Sequence, residues 1–167
     1  AFDSLNYPPL IISGVNLSIN FPILLKPNWN KKFMVHKSLE SNILLVKMFP
    51  GINKEMINHL FSYPNLKGLV LETYGSGNLT NEKWFLKAIK KITNKNIPVI
   101  NVTQCFGGSV DMSIYNTNKE YRTIGIISGK DITTEAAIAK LMFMLGQNIS
   151  AKGFKTKFET SLRGEMK

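Results

Sequence analysis

From residue 41 onward, short apolar runs alternate with stretches whose apolar residues recur at helical spacing. Ile43-Leu44-Leu45-Val46-Lys47-Met48 is the first run; beyond Phe49-Pro50-Gly51 a helical stretch carries Met56, Ile57 and Leu60 as its apolar stripe. Leu69-Val70-Leu71 is the second run and ends in a glycine-punctuated loop. Thr80 then marks a helix start, and Phe85, Ala88, Ile89 and Ile92 fall at i, i+3, i+4 and i+7. Pro98-Val99-Ile100-Asn101-Val102 and Ile124-Gly125-Ile126-Ile127 are the third and fourth runs. A last strong helix is predicted from an N-cap at Asp131 or Thr133, with Glu135 in its first turn. It passes through Ala136, Ile138, Leu141, Met142 and Leu145 to a stop at Gly146.

Apolar strands alternating with amphipathic helices predict a parallel sheet covered on both faces. Residues 41–167 are therefore expected to form a small doubly wound, Rossmann- or flavodoxin-like α/β domain with a four-stranded parallel sheet between helices. Residues 1–40 read differently. Tyr7-Pro8-Pro9, Phe21-Pro22 and Lys26-Pro27-Asn28 keep them extended, and Val15, Leu17 and Ile19 alternate with polar residues as one half-exposed strand. This segment is expected to be a connecting arm.

A chain of 167 residues is long enough to bury a core, and a hydrophobic content of 44% fits a globular protein. No apolar run reaches the length of a membrane span and no signal peptide opens the chain, so a soluble protein away from membranes is expected. The lone Cys105 can form no internal disulfide, which agrees with a reducing compartment, and His36 and His59 share no metal-ligand spacing. No metal site and no cofactor are expected. The charge of +10 first suggests nucleic acid, but of 21 basic residues only Arg122 and Arg163 are arginines and the lysines are scattered. No nucleic-acid partner is expected.

Candidate chemistry gathers where strands end. Phe49-Pro50-Gly51, Thr73 to Asn78, Gln104 to Ser109 and Ser128-Gly129-Lys130 all follow predicted strands, and in a parallel sheet those loops share one edge. Gly75-Ser76-Gly77-Asn78 is neither a dinucleotide fingerprint nor a phosphate loop, yet its amides and the Asn78 side chain suit a small carboxylate or amide. Glu72, at a strand end, could serve as acid, base or hydrogen-bond acceptor, but no carboxylate pair with Asp111, Glu120 or Asp131 has catalytic spacing. Cys105 reads as a small, partly buried residue rather than a nucleophile, because no histidine lies at a comparable strand end. Asp131 reads as a helix cap, and Arg163 as a solvated partner of Glu165. The residues alone assemble no complete catalytic apparatus.

Glu72-Thr73-Tyr74-Gly75-Ser76-Gly77-Asn78, Asn101-Val102-Thr103-Gln104-Cys105 and Leu162-Arg163-Gly164-Glu165-Met166 closely resemble the C-terminal domain of cytoplasmic, type I L-asparaginases. Asn6-Tyr7-Pro8-Pro9-Leu10 resembles that family's interdomain connection. Phe49-Pro50-Gly51, Gly107-Gly108-Ser109-Val110 and the stretch from Ser128 to Ala137 match in order. The resemblance implies an enzyme that converts L-asparagine and water to L-aspartate and ammonia. Its nucleophilic threonine sits in an N-terminal domain, in motifs like Thr-Gly-Gly-Thr and His-Gly-Thr-Asp-Thr, and neither motif occurs here. The chain would then be inactive alone and need that N-terminal catalytic domain as partner.

The resemblance further implies a homo-oligomer, dimer or tetramer, in which the Gly-x-Gly-Asn loop closes over a neighbouring active site. Asn78 carries that role, with Ser76 and Gly77 as support and Tyr115 as a weaker candidate. Some bacterial members also bind asparagine allosterically through a Thr-Gln-Cys segment, here Thr103 and Cys105. Those members have an arginine where this chain has Glu72, which should weaken the pocket for a carboxylate. Two other readings stay open, a stand-alone amino-acid binding module and a tRNA-dependent amidotransferase subunit. The Thr-Tyr-Gly-Ser-Gly-Asn form and the Leu-Arg-Gly-Glu-Met end favour an asparaginase over the amidotransferase.

Overall fold

A computed structural model describes residues 6–111 and 116–167 of the chain. Four parallel strands, β3 (Ile43–Lys47), β4 (Gly68–Thr73), β5 (Val99–Thr103) and β6 (Ile127–Ser128), follow β1 (Ile11–Ser13) and β2 (Leu17–Ile19), which form a separate antiparallel hairpin. The parallel strands lie in sequence order, so three crossover helices share one face. These are α1 (Lys54–Phe61), α2 (Lys83–Thr93) and α3 (Asn116–Thr123). The helices that follow β6, α4 (Thr134–Gly146) and α5 (Ala151–Phe158), cover the other face.

The strand period of two divides the core between the faces. Leu69, Leu71 and Val99 pack with Ile57, Phe61, Phe85, Ile89, Ile92 and Tyr121 from α1, α2 and α3. Val70, Ile100 and Val102 pack with Leu141, Met144, Phe154 and Phe158 from α4 and α5. The central strands β4 and β5 are buried on both faces, which is why they read as continuous apolar runs instead of alternating ones.

Several sequence expectations need correction. The single strand over residues 15–19 is a hairpin; Val15 sits at its tip, fully exposed, and both strands face solvent. In α1 the buried residues are Ile57 and Phe61, whereas Met56 is exposed, because Phe61 one turn beyond Ile57 takes the inward position. Helix α2 starts at Lys83, not Thr80. The Thr80 carbonyl is taken by the Tyr121 hydroxyl at 2.7 Å, and buried Leu79 anchors an extended entry.

Of the run from Ile124 to Ile127 only Ile127 is strand, the first of the two residues of β6. The first half of the run closes α3: Gly125 at φ +91°, Gly125 N–H to Arg122 O and Ile126 N–H to Tyr121 O form a Schellman cap. Helix α4 is capped by Thr133, whose hydroxyl accepts the Ala136 N–H. Asp131 is not a cap; it is buried, and its Oδ1 accepts the Lys167 N–H at 2.8 Å. Gly146 is the final helical residue, not the stop beyond it, and the left-handed turn falls on Asn148 at φ +54°. Nor is α4 the last helix, since α5 follows it.

Candidate functional site

The carboxyl ends of β3, β4, β5 and β6 lie on one edge of the parallel sheet, as the topology requires, and the loop leaving β4 is the most tightly organised there. It reverses within five residues. Asn78 N–H and Gly77 N–H both reach the Tyr74 carbonyl, at 2.8 and 3.0 Å, and Tyr74 N–H reaches the Asn78 carbonyl at 3.3 Å. The reversal needs positive φ at Gly75 (+50°) and Gly77 (+98°). At Gly77 there is a steric demand as well, because a Cβ there would lie 2.6 Å from Val110 Cγ1.

Beneath the turn lies a buried polar layer on the α1/α2 side of β4 and β5. Thr73 and Asn101 are completely buried, and Thr103 is nearly so. The Thr73 hydroxyl is 2.6 Å from Asn101 Oδ1 and 3.0 Å from the Val102 carbonyl. Asn101 Nδ2 donates to the Gly77 carbonyl at 2.9 Å, and the Thr103 hydroxyl donates to the Gly75 carbonyl while accepting the Cys105 N–H. Gln104 turns the other way and ties strand ends together, its Nε2 donating to the carbonyls of Met48 (2.6 Å) and Glu72 (2.9 Å).

Asn78 stands at the end of this turn. Its Oδ1 is buried, yet among the described residues it accepts no hydrogen bond. Ser76 and Gly77 hold the turn through backbone: the Ser76 carbonyl accepts the Asp111 N–H at 3.0 Å. Tyr115 lies outside the described residues.

Of the three residues that the resemblance connects with a regulatory pocket, Thr103 meets the turn directly. Glu72 pairs with Lys47 at 3.3 Å on the neighbouring strand. Cys105 is exposed rather than partly buried, because β5 ends at Thr103 and the chain has already turned off the sheet. Among the described residues no group of three or more His, Cys, Asp or Glu is placed to hold a metal ion. No helix among them is long and apolar enough to cross a membrane.

The C-terminal segment forms a second polar cluster. Glu165 does not make a solvated pair with Arg163, whose guanidinium instead donates to the Leu162 carbonyl at 2.7 Å. Its partner is Lys140 of α4, at 2.5 Å. The buried Lys140 ammonium also donates to the Thr160 carbonyl (2.8 Å) and lies 5.1 Å from the Phe158 ring centroid. Burial alone would raise the Glu165 carboxyl. Hydrogen bonds from Lys140 and from the backbone of Leu162 and Arg163 outweigh it and bring the group down to about 2.

No spacing along the chain assigns a role to Asn101, Thr73 or Gln104. The available signal was a carboxamide and a threonine at buried positions of apolar strands, since a fully buried polar side chain is the informative exception.

Fold and loops together define the class: an α/β domain that presents a polar, glycine-built turn at the carboxyl edge of a parallel sheet. Residues 42–158 match the Glutaminase/Asparaginase C-terminal domain family, and the chain belongs to it. It is 33% identical over 167 residues to L-asparaginase 1 of Escherichia coli (strain K12), a match that covers 99% of this chain and 48% of that protein. A 60 kDa lysophospholipase of Mus musculus is 36% identical over 167 residues, covering 99% of this chain and 29% of that protein. The crystal structure of L-asparaginase I from Vibrio cholerae O1 biovar eltor superposes with a TM-score of 0.90 at 35% identity, covering 100% of this chain and 50% of that one. The chain thus spans about half the length of these asparaginases.

Proposed function

We propose that this chain is the C-terminal half of a cytoplasmic type I L-asparaginase, which hydrolyses L-asparagine to L-aspartate and ammonia. Residues 1–40 serve as interdomain connection and arm, and residues 41–167 as the α/β domain. This half serves assembly of a homo-oligomer and completes a neighbouring active site. It does not hydrolyse asparagine alone, because the nucleophilic threonine belongs to the N-terminal half.

One observation carries the reading: the buried carboxamide oxygen of Asn78, at the end of a rigid turn, which accepts no hydrogen bond among the described residues. A buried acceptor without a donor costs about 1–3 kcal/mol. A donor arriving from substrate or from an adjoining subunit removes that cost, and Asn78 then becomes a substrate-closing group supported by Ser76 and Gly77, with Tyr115 the weaker candidate beside it. The regulatory pocket of some bacterial relatives is altered here. At Glu72 an incoming carboxylate meets a negative charge already paired with Lys47, and the Thr103 hydroxyl is committed to the turn. A sigmoidal rate curve abolished by Cys105→Ala would contradict that part.

The test compares the full-length polypeptide with this chain, following ammonia release and titration calorimetry of L-asparagine. The full-length protein is expected to release ammonia and the chain alone neither to release it nor to bind. Asn78→Ala is expected to lower kcat/KM by about tenfold to a hundredfold, the worth of one hydrogen bond to a charged group. Ammonia from the chain alone, or an unchanged kcat/KM, overturns the reading. Binding without ammonia makes the chain a regulatory amino-acid module.

A further inference from the structure

We infer that Asn101 is a positioning residue whose carboxamide fixes the pose of Asn78; the inference rests on the substrate-closing role proposed for Asn78. Along β5 the side chains of Val99, Asn101 and Thr103 point to the α1/α2 face. Val99 joins the apolar core, and two residues further the row turns polar while staying completely buried. An aliphatic residue would satisfy such a position without desolvating an amide. What the carboxamide does there is specific. The Gly77 carbonyl can only accept, so the Asn101 amide nitrogen faces it at 2.9 Å and the amide oxygen faces the Thr73 hydroxyl at 2.6 Å.

The Gly77 carbonyl and the Asn78 N–H belong to one peptide plane. Asn101 holds one end of that plane, and the Tyr74 carbonyl holds the other at 2.8 Å. Rotation of this peptide would swing the Asn78 side chain, and both bonds oppose it. Val110 packs over Gly77, and Asp111 N–H closes the far side on the Ser76 carbonyl at 3.0 Å. Removing the Asn101 carboxamide would free the plane without orphaning Thr73, whose hydroxyl still reaches the Val102 carbonyl at 3.0 Å. Asn101 therefore acts on the site through Asn78 alone.

The experiment has two arms. On this chain, amide hydrogen exchange is measured for wild type and for Asn101→Leu and the smaller Asn101→Ala, neither of which can donate to Gly77. Exchange at Gly77 and Asn78 is expected to speed up about tenfold or more while the amides of β4 and β5 keep their protection. On the full-length polypeptide, both variants are expected to lower kcat/KM for asparagine about tenfold, and to add less than about twofold once Asn78 is alanine.

Unchanged exchange at Gly77 and Asn78 overturns the inference. So does a loss that is undiminished in the Asn78→Ala background, since a general folding defect would multiply rather than saturate. If Asn101→Leu does not fold, Asn101→Ala decides. If the full-length wild type releases no ammonia, the functional reading falls, and the exchange arm still decides whether Asn101 clamps the turn.

Discussion

Single residues at the Gly75–Asn78 turn differ sharply in what they tolerate. Gly75 and Gly77 look equivalent as letters, yet a Cβ at Gly75 meets nothing nearer than 3.4 Å, whereas at Gly77 it lies 2.6 Å from Val110. Gly75→Ala is expected to cost about 1 kcal/mol, the price of a positive φ, and Gly77→Ala about 2–4 kcal/mol because the Val110 contact adds to it. Chemical denaturation of the two variants checks this, and equal losses would show that Val110 gives way. Asn101 teaches the same lesson. Its place in an apolar strand was visible in the sequence, but its partners, Gly77 and Thr73, stand 24 and 28 residues away and belong to no local spacing.

At the level of elements, legibility followed the strength of the apolar stripe. Helix α2 presents Phe85, Ala88, Ile89 and Ile92 at regular spacing and was plain in the sequence. Helix α5 buries only Phe154 and Phe158 among lysines and a glycine, and α3, of sequence NTNKEYRT, has Tyr121 as its one aromatic residue, so neither announced itself. Both are held by tertiary partners, as most protein helices are. The C-terminal segment is likewise held by what it meets on α4.

Glu165, on that segment, has a folded value near 2 against an ordinary 4.5, so its contribution to stability is complete above about 4.5 and is lost as pH falls from there towards 2. Glu165→Gln is therefore expected to lower Tm at pH 7, with Lys140 left buried beside a neutral group, and to flatten the decline of Tm between pH 4.5 and 2.5. Circular-dichroism melts across that range check it. A variant that keeps the wild-type acid slope would assign the slope to other carboxylates.

Over the whole molecule, the contrast is between a well-packed layer of sheet and helices and a segment before residue 40 rich in uncovered apolar surface, the proposed arm. Trp29 is 88% exposed and Phe33 92%, and Leu17, Phe21, Leu25, Met34 and Val35 are also open to solvent. Exposed apolar surface on this scale marks an interaction site, and the proposed occupants are the N-terminal half and a neighbouring subunit. Trypsin is accordingly expected to cut this chain first at the exposed Lys31, Lys32 and Lys37, and to leave those sites intact in the full-length polypeptide if these occupants cover them. Equal cutting in both would mean that the arm stays uncovered.

The parallel sheet, its two helical faces and the shared loop edge were readable from the order of residues, because burial repeats with the period of strand and helix. Family motifs added the candidate residues Glu72, Ser76, Asn78, Thr103 and Cys105. Which buried polar groups meet was decided only in three dimensions. Asn101 on Gly77, Thr103 on Gly75 and Lys140 on Glu165 join separate elements, and hydrogen-bond partners across elements follow from strand register and helix packing, which no spacing along the chain encodes.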